Sequence, residues 1–301
     1  MGIAKTPAAF KASVEDRLKA AVGPKQGRAL QRRRVLMVME RFIARLTHVL
    51  PDSAVLRGGL ALELRLDSAR TTKDIDVRLL GDSGQLEDQL RAIEAHRPEP
   101  EDHLEFEIAP DPDHPTVTGD GVKYDGFRFK VKANLAGRAY VAFGLDVAYG
   151  DPILGEPDLL EGSDFFEKYG IERVVVRAYP PTTHLAEKLH AYTLPRDRVN
   201  TRLKDLVDMP LIAEALDGRT ATELRAAIDQ TFAFRDSHAT PSSLPPPPRE
   251  WLGRYDRLRA EEDLPWADLD VLHANAAAFV DPVLSGEHGT WSASEGRWLT
   301  G

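Results

Sequence analysis

Residues 56–80 read Leu56-Arg57-Gly58-Gly59, then LALELRLDSARTTK, then Asp74-Ile75-Asp76-Val77-Arg78-Leu79-Leu80. This pattern predicts a strand end, a turn at the glycines, a short helix, a polar loop and a second strand. Alternation through Lys73-Asp74-Ile75-Asp76-Val77 sends both aspartates to one face of a sheet and Ile75 and Val77 to the other. Two carboxylates on one open face repel each other unless a cation lies between them. Hard oxygen ligands in this number suit Mg²⁺ better than zinc or copper. Paired glycines let the backbone come close to a phosphate at the start of the following helix. The glycines and the aspartates, fifteen residues apart from Gly59 to Asp74, thus make one candidate nucleotide site. Either half alone is ordinary: acid-x-acid pairs arise by chance among 48 acidic residues in 301, and a Gly-Gly pair is usually a turn. Their order between strand-like runs carries the reading.

Length and composition bound the rest. A chain of 301 residues can bury a sizeable core and form two domains. Its 42% hydrophobic and 29% charged content is that of a soluble globular protein. No run of eighteen apolar residues occurs, and MGIAKTPAAFKASVEDRLKA at the N-terminus lacks an apolar signal core, so a cytoplasmic protein without a membrane partner is expected. The absence of cysteine excludes disulfides, thiol nucleophiles and Cys-ligated zinc. The net charge of −9 is uneven: residues 1–57 hold twelve Lys/Arg against four Asp/Glu, which makes +8 and leaves −17 for the remainder. A basic segment on an acidic body steers toward a polyanion, although a solvated helical arm would carry the same charges.

Outward from the central stretch, a short helix is expected over 7–22, a break at GPKQG, and a longer helix from Leu30 to Leu50 with an apolar stripe of Leu36, Met39, Ile43, Leu46 and Leu50. Arg32, Arg33 and Arg34 lie at its start, where the helix dipole disfavours cations and an anion would compensate. After a helix over 84–95, three alternating segments around 104–108, 127–131 and 141–147, with 171–178, complete a mixed sheet. Asp146 is the only charge in AYVAFGLDVAYG. It reads either as an exposed acid near a strand end or as a third carboxylate facing Asp74 and Asp76, with Ala142 and Gly144 leaving room for substrate. Beyond Pro180-Pro181 the chain turns helical, with Thr182 or Thr183 as the expected cap of the first helix. Further helices are expected over 202–216, 221–233, 251–260 and 268–283, and PSSLPPPP at 241–248 is an extended connector. Trp291 and Trp298 read as packing anchors. The expected organisation is a basic arm over 1–50, an α+β core over 51–180 and a helical C-terminal domain over 181–301.

In that helical part, Lys188 lies in AEKLHA and Asp205 and Asp208 in RLKDLVDM. By spacing alone these are surface ion pairs of little energy, and His184 and His190 lack metal-ligand spacing. In order, however, the chain carries GGLALEL at 58–64, RTTKDIDV at 70–77, AEKLHA at 186–191 and RLKDLVDM at 202–209. This set resembles the AbiEii/AbiGii nucleotidyltransferase toxins, MenT-type toxins among them, within the polymerase-β-like nucleotidyltransferase superfamily.

The resemblance implies an α+β polymerase-β-like core with a mixed sheet, followed by a helical domain, with the active site in the cleft between them. It implies that Gly58 and Gly59 hold an NTP, that Arg70 and Thr72 lie beside it, and that Asp74 and Asp76 bind Mg²⁺ or Mn²⁺. Thr72 also stands where some members carry a serine or threonine near the site that a partner can modify. Lys188 matches a lysine needed for activity, and Asp205 or its neighbour Asp208 matches an acid of the last motif. The superfamily's third acid falls on Asp146, as metal ligand or proton acceptor. Glu63 departs from the small or apolar residue expected inside GGLALEL. The implied reaction moves a nucleoside monophosphate from an NTP to an RNA hydroxyl, in MenT-like members the 3′ end of tRNA, which blocks translation. An antitoxin partner is implied too. Arg32–Arg34 and the Arg128/Lys130/Lys132 face are the candidates for RNA backbone contact. Protein or small-molecule hydroxyls as acceptors, transfer of the γ-phosphoryl group, and an inert binding module are the competing readings.

Overall fold

The computed structural model describes residues 6–22, 27–66, 71–116, 126–150, 153, 155–197 and 199–300. Two helices, α1 (Pro7–Val22) and α2 (Gly27–Val49), precede β1 (Ala54–Arg57). The short α3 (Gly58–Arg65) then leads to β2 (Asp74–Leu79), and α4 (Leu86–Ala95) to β3 (Leu104–Pro110), β4 (Gly126–Leu135) and β5 (Arg138–Ala148). Strands β6 (Asp158–Glu161) and β7 (Val175–Ala178) finish a seven-stranded sheet of order β3-β4-β5-β2-β1-β7-β6. It is mixed, because β2 runs parallel to β5 and β1 to β7 while the other neighbours are antiparallel.

The period-two pattern decides which face of the sheet is dry. Ile75, Val77, Phe106, Val131, Val141, Phe143, Leu145 and Val147 are buried, and Phe42 of α2 meets Phe106 and Phe143 edge-on at 5.3 and 5.4 Å. Such pairs add to the burial of the rings themselves. The stripe expected on α2 is present, but its second half is buried nearly all round, Met37 to Ile43 without a gap. Two of its arginines are therefore inside. Arg41 and Arg45 both donate to the fully buried Asp102, at 2.8 Å for Arg41 and 2.9 and 2.6 Å for Arg45. Buried charges persist only when paired, so these two belong to the core and not to a basic surface.

The helical half comprises α5 (Pro181–Thr193), α6 (Leu203–Glu214), α7 (Ala221–Arg235), α8 (Leu252–Glu262) and α9 (Leu269–Ser285), with a hairpin of β8 (Thr290–Ser292) and β9 (Arg297–Leu299). A capping box starts α7, Thr220 and Glu223 each satisfying the other's backbone N–H. Neither Thr182 nor Thr183 caps α5. Pro180 holds the cap position without a side-chain bond and Pro181 opens the helix, where a missing N–H costs nothing. The strand expected over 171–178 is confined to its last four residues, and β6 and the terminal hairpin carry too little alternation to be read from sequence. Trp291 and Trp298 are anchors: their indoles pack with Phe279 and donate to the carbonyls of Ala213 and Phe279.

Two hydrophobic cores result, one under the sheet and one among the helices. Helix α3 lies between them, since Leu60 and Ala61 join the first and Leu62 the second. Among the described residues no helix is long and apolar enough to cross a membrane.

Candidate active site

The wet face of the sheet gathers the charges. Registers place Arg57, Asp76, Asp146 and Arg128 in one row across β1, β2, β5 and β4, and Asp74, Gly144 and Lys130 in the next. Glycine is required at two points of this lattice. Gly58 has φ +69°, and a Cβ on it would lie 2.0 Å from Asp76 Oδ2. A Cβ on Gly144 would lie 2.3 Å from Asp74 Oδ1. The room beside Gly144 is thus filled by the Asp74 carboxylate rather than left for substrate. Gly58 makes the expected turn while opening α3, whose first amide groups have no side-chain cap. The approach to β2 is tied down as well. Glu63, the departure from the expected pattern, accepts from Arg32 Nε at 2.8 Å and from the Thr72 amide at 3.2 Å, and Thr72 Oγ1 donates to the Asp74 carbonyl at 3.1 Å.

Crowding raises both acids. Asp76 is half-buried, and loss of solvation pushes its pKa from 3.8 to about 6, opposed by Arg57 and Lys188 and reinforced by Asp146 and Asp74. Asp74 keeps access to solvent, yet the protein around its carboxyl, and then Asp146, still raise it. Arg128 grips both oxygens of Asp146 at 2.8 and 2.7 Å.

Facing the row, α5 and α6 present Lys188. Its ammonium lies 2.9 Å from Asp205 Oδ1 and 2.9 Å from Asp208 Oδ2, the latter fully buried. A cavity of about 200 Å³ joins the two halves, with Gly58, Asp76, Lys188 and Asp205 in its wall. Arg57, Arg202 and Arg235 line it too, and Glu187 bridges Arg57 and Arg235 at 3.6 and 3.5 Å. Farther along α5 the wall contains His190. Thr193 Oγ1 donates to the Leu189 carbonyl (2.9 Å), so it accepts from His238 Nε2 (2.8 Å). His238 Nδ1 then accepts from Ser237 Oγ (2.9 Å), which accepts from His190 Nε2 (2.8 Å). The one-way chain fixes a single tautomer, and burial, then the neighbouring His238, push His190 down to about 4, so it is neutral at pH 7.

The structure therefore brings Gly58, Asp76, Lys188 and Asp205 to one cavity, with Asp74 beside Asp76, Gly59 buried in α3, and Asp208 behind the lysine. It separates other expected members. Arg34 is held by Glu15 at 2.7 Å, Arg32 by Glu63, and Lys130 lies 3.5 and 3.7 Å from Asp111 and Asp113, while Arg33 and Lys132 are exposed. Arg70 lies outside the described residues. Arg57, Glu187, His190 and Arg235 were not expected. Glu187 and His190 lie within AEKLHA and Arg57 adjoins GGLALEL, but Arg235 ends a helix far along the chain and gives no local signal.

Among the described residues no three His, Cys, Asp or Glu side chains are grouped to hold a metal ion, and both oxygens of Asp146 are engaged by Arg128. Asp74 and Asp76 alone suit a cation that completes its shell with substrate phosphates and water, which is the habit of Mg²⁺.

No curated protein matches the chain. Solved structures similar to it include MenT4, a nucleotidyltransferase toxin from Mycobacterium tuberculosis H37Rv (15% identity, 78% of this chain and 74% of that one, TM-score 0.48). JHP933 from Helicobacter pylori (14%, 83% and 94%, TM-score 0.44) and a nucleotidyltransferase structure from H. pylori (15%, 83% and 96%, TM-score 0.44) are similar as well. Likeness of this degree bears on neither substrate nor partner. The sequence profile described as "Nucleotidyl transferase AbiEii toxin, Type IV TA system" matches residues 41–288, most of the chain and all four motifs. The protein belongs to the AbiEii family of nucleotidyltransferase toxins.

Proposed function

We propose that the protein transfers a nucleoside monophosphate from an NTP to an RNA hydroxyl, the tRNA 3′ end being the acceptor, and so blocks translation. The observation that carries this reading is the single cavity in which Gly58 and Asp76 meet Lys188 and Asp205. Triphosphate oxygens fit against the uncapped amides at the start of α3 and the cations Arg57, Lys188 and Arg235. Asp74 and Asp76 would hold Mg²⁺, or Mn²⁺ in its place, which supplies charge neutralisation on the phosphates when bound. Asp205 and Asp208 hold the Lys188 ammonium in place, so the lysine is pre-positioned where phosphate charge develops.

An RNA acceptor is supported by the surface leading to the carboxylates. Arg128, Lys130 and Lys132 share the face of the sheet that carries Asp74, Asp76 and Asp146. An acceptor phosphate would draw Arg128 from Asp146 and free that carboxylate to take the proton of the attacking hydroxyl. Of Arg32, Arg33 and Arg34, only Arg33 is exposed to serve the same backbone. A cognate antitoxin is the partner that the family's toxin–antitoxin description supports.

Purified protein incubated with total RNA and each of the four labelled NTPs tests the reading. Label in tRNA with release of pyrophosphate is expected. Label in protein alone would reject the RNA acceptor, and a nucleoside diphosphate product would replace nucleotidyl transfer by phosphotransfer.

A further inference from the structure

Asp205 spends only half of its carboxylate on Lys188. Oδ1 accepts the ammonium at 2.9 Å. Oδ2 is buried and has no hydrogen-bond partner among the described residues, and Arg202 Nη1 lies 3.7 Å from it, beyond hydrogen-bond reach. The residue is 6% exposed and lies in the wall of the cavity. A buried carboxylate oxygen without a donor is costly, and such sites are kept where a ligand supplies the missing proton.

The position of that oxygen limits what the ligand group can be. It must donate, so phosphate oxygens are excluded, and a second cation is made redundant by Lys188 and Arg202. It must also lie next to the ammonium that contacts phosphate, because both oxygens belong to one carboxylate. In a nucleotide the donor adjacent to the phosphates is a sugar hydroxyl, whereas the donors of the base lie farther away. We propose that Asp205 reads a ribose hydroxyl of the bound nucleotide through Oδ2 and thereby selects ribonucleotides over deoxy analogues. This rests on the nucleotide reading given above. It also divides the labour of the last motif: Asp208, with no exposed surface, acts through Lys188, and Asp205 faces both ways.

Equilibrium binding by titration calorimetry tests the assignment without turnover. The wild type is titrated with each of the four NTPs, then with the 2′-deoxy and 3′-deoxy forms of whichever binds tightest. A hydrogen bond to a charged acceptor predicts that one deoxy form binds about 10- to 100-fold more weakly. Asp205→Asn keeps an oxygen for Lys188 but offers the hydroxyl a neutral amide in place of a charged acceptor, so the preference over that deoxy form should shrink by at least about threefold. Asp208→Asn weakens the hold on Lys188 for every ligand and should retain the full preference. If the asparagine variant does not fold, Asp205→Glu, which keeps the charge and moves the oxygen, takes its place with the same loss of preference expected. Wild type that binds both deoxy forms as tightly as the NTP, or an Asp205 variant that keeps the full wild-type preference, would overturn the proposal alone. Failure of every NTP to bind would instead overturn the nucleotide reading on which it stands.

Discussion

Replacing Asp76 by asparagine should stabilise the protein while destroying its activity. In the folded chain the Asp76 carboxyl titrates at about 6 instead of 3.8, chiefly because burial removes its water. An acid whose pKa is raised by folding prefers its protonated form there, so ionisation destabilises the native state. Below pH 3.8 the group is neutral in both states and the penalty is absent. It grows through the interval up to about pH 6 and is fully present above that. At about 1.4 kcal/mol per pKa unit, the difference amounts to about 3 kcal/mol at neutral pH. Asparagine is neutral throughout, so Asp76→Asn should unfold about 3 kcal/mol harder than wild type in urea at pH 7.5, and the advantage should shrink steadily as pH falls from 6 to 4. Mg²⁺ with NTP should stabilise the wild type and leave the variant unmoved. An Asp76→Asn protein no more stable than wild type at pH 7.5, or one whose advantage persists unchanged at pH 4, would refute the account of crowding at the site.

Gly58→Ala places a methyl group on the Asp76 carboxylate at a backbone angle alanine disfavours, so activity should fall at least 100-fold with about 1–3 kcal/mol of stability lost; an active, stable alanine variant would show that the bend tolerates a side chain. Lys188→Ala should lower nucleotidyl transfer by about 10²–10³-fold under saturating NTP, read as pyrophosphate release. Asp102→Ala strands Arg41 and Arg45 in the core and should cost about 3–5 kcal/mol in urea unfolding, with NTP affinity of the folded fraction unchanged. Arg128→Gln should weaken RNA binding and reduce the slope of log affinity against log salt by about one, and an unaltered slope would remove Arg128 from the RNA surface.

The row of charges on the sheet was legible because strand geometry is simple. Once Asp74-Ile75-Asp76 is read as a strand, the side on which each residue falls follows from a period of two. That Asp76 would meet Gly58 depends on the antiparallel return of β2 along β1, which a connection long enough to hold helix α3 does not dictate. Charge was less legible, since sequence counts charges without showing which ones cancel. Arg41 and Arg45 add to the basic count of residues 1–57 yet neutralise Asp102 inside the core, and Arg32 and Arg34 are committed to Glu63 and Glu15. Asp146 stood out as the lone charge of its strand, but Arg128, eighteen residues earlier in sequence, becomes its partner only through strand register. The pairing of Glu187 with Arg235 joins α5 to the end of α7, a contact between helices that no periodicity encodes.

Helix α3 is only eight residues long, yet it has a stake in two interiors. Leu60 and Ala61 are committed to one and Leu62 to the other, while Arg65 fastens its end to Asp158 and to the Tyr179 carbonyl. Severing the chain between Pro180 and Pro181 would therefore not yield two self-sufficient modules. Each fragment would bear a raw apolar scar shaped for its counterpart, and the two would reassociate when produced together. The same peg that carries the glycine bend beside Asp76 at one end is what keeps the halves in register at the other.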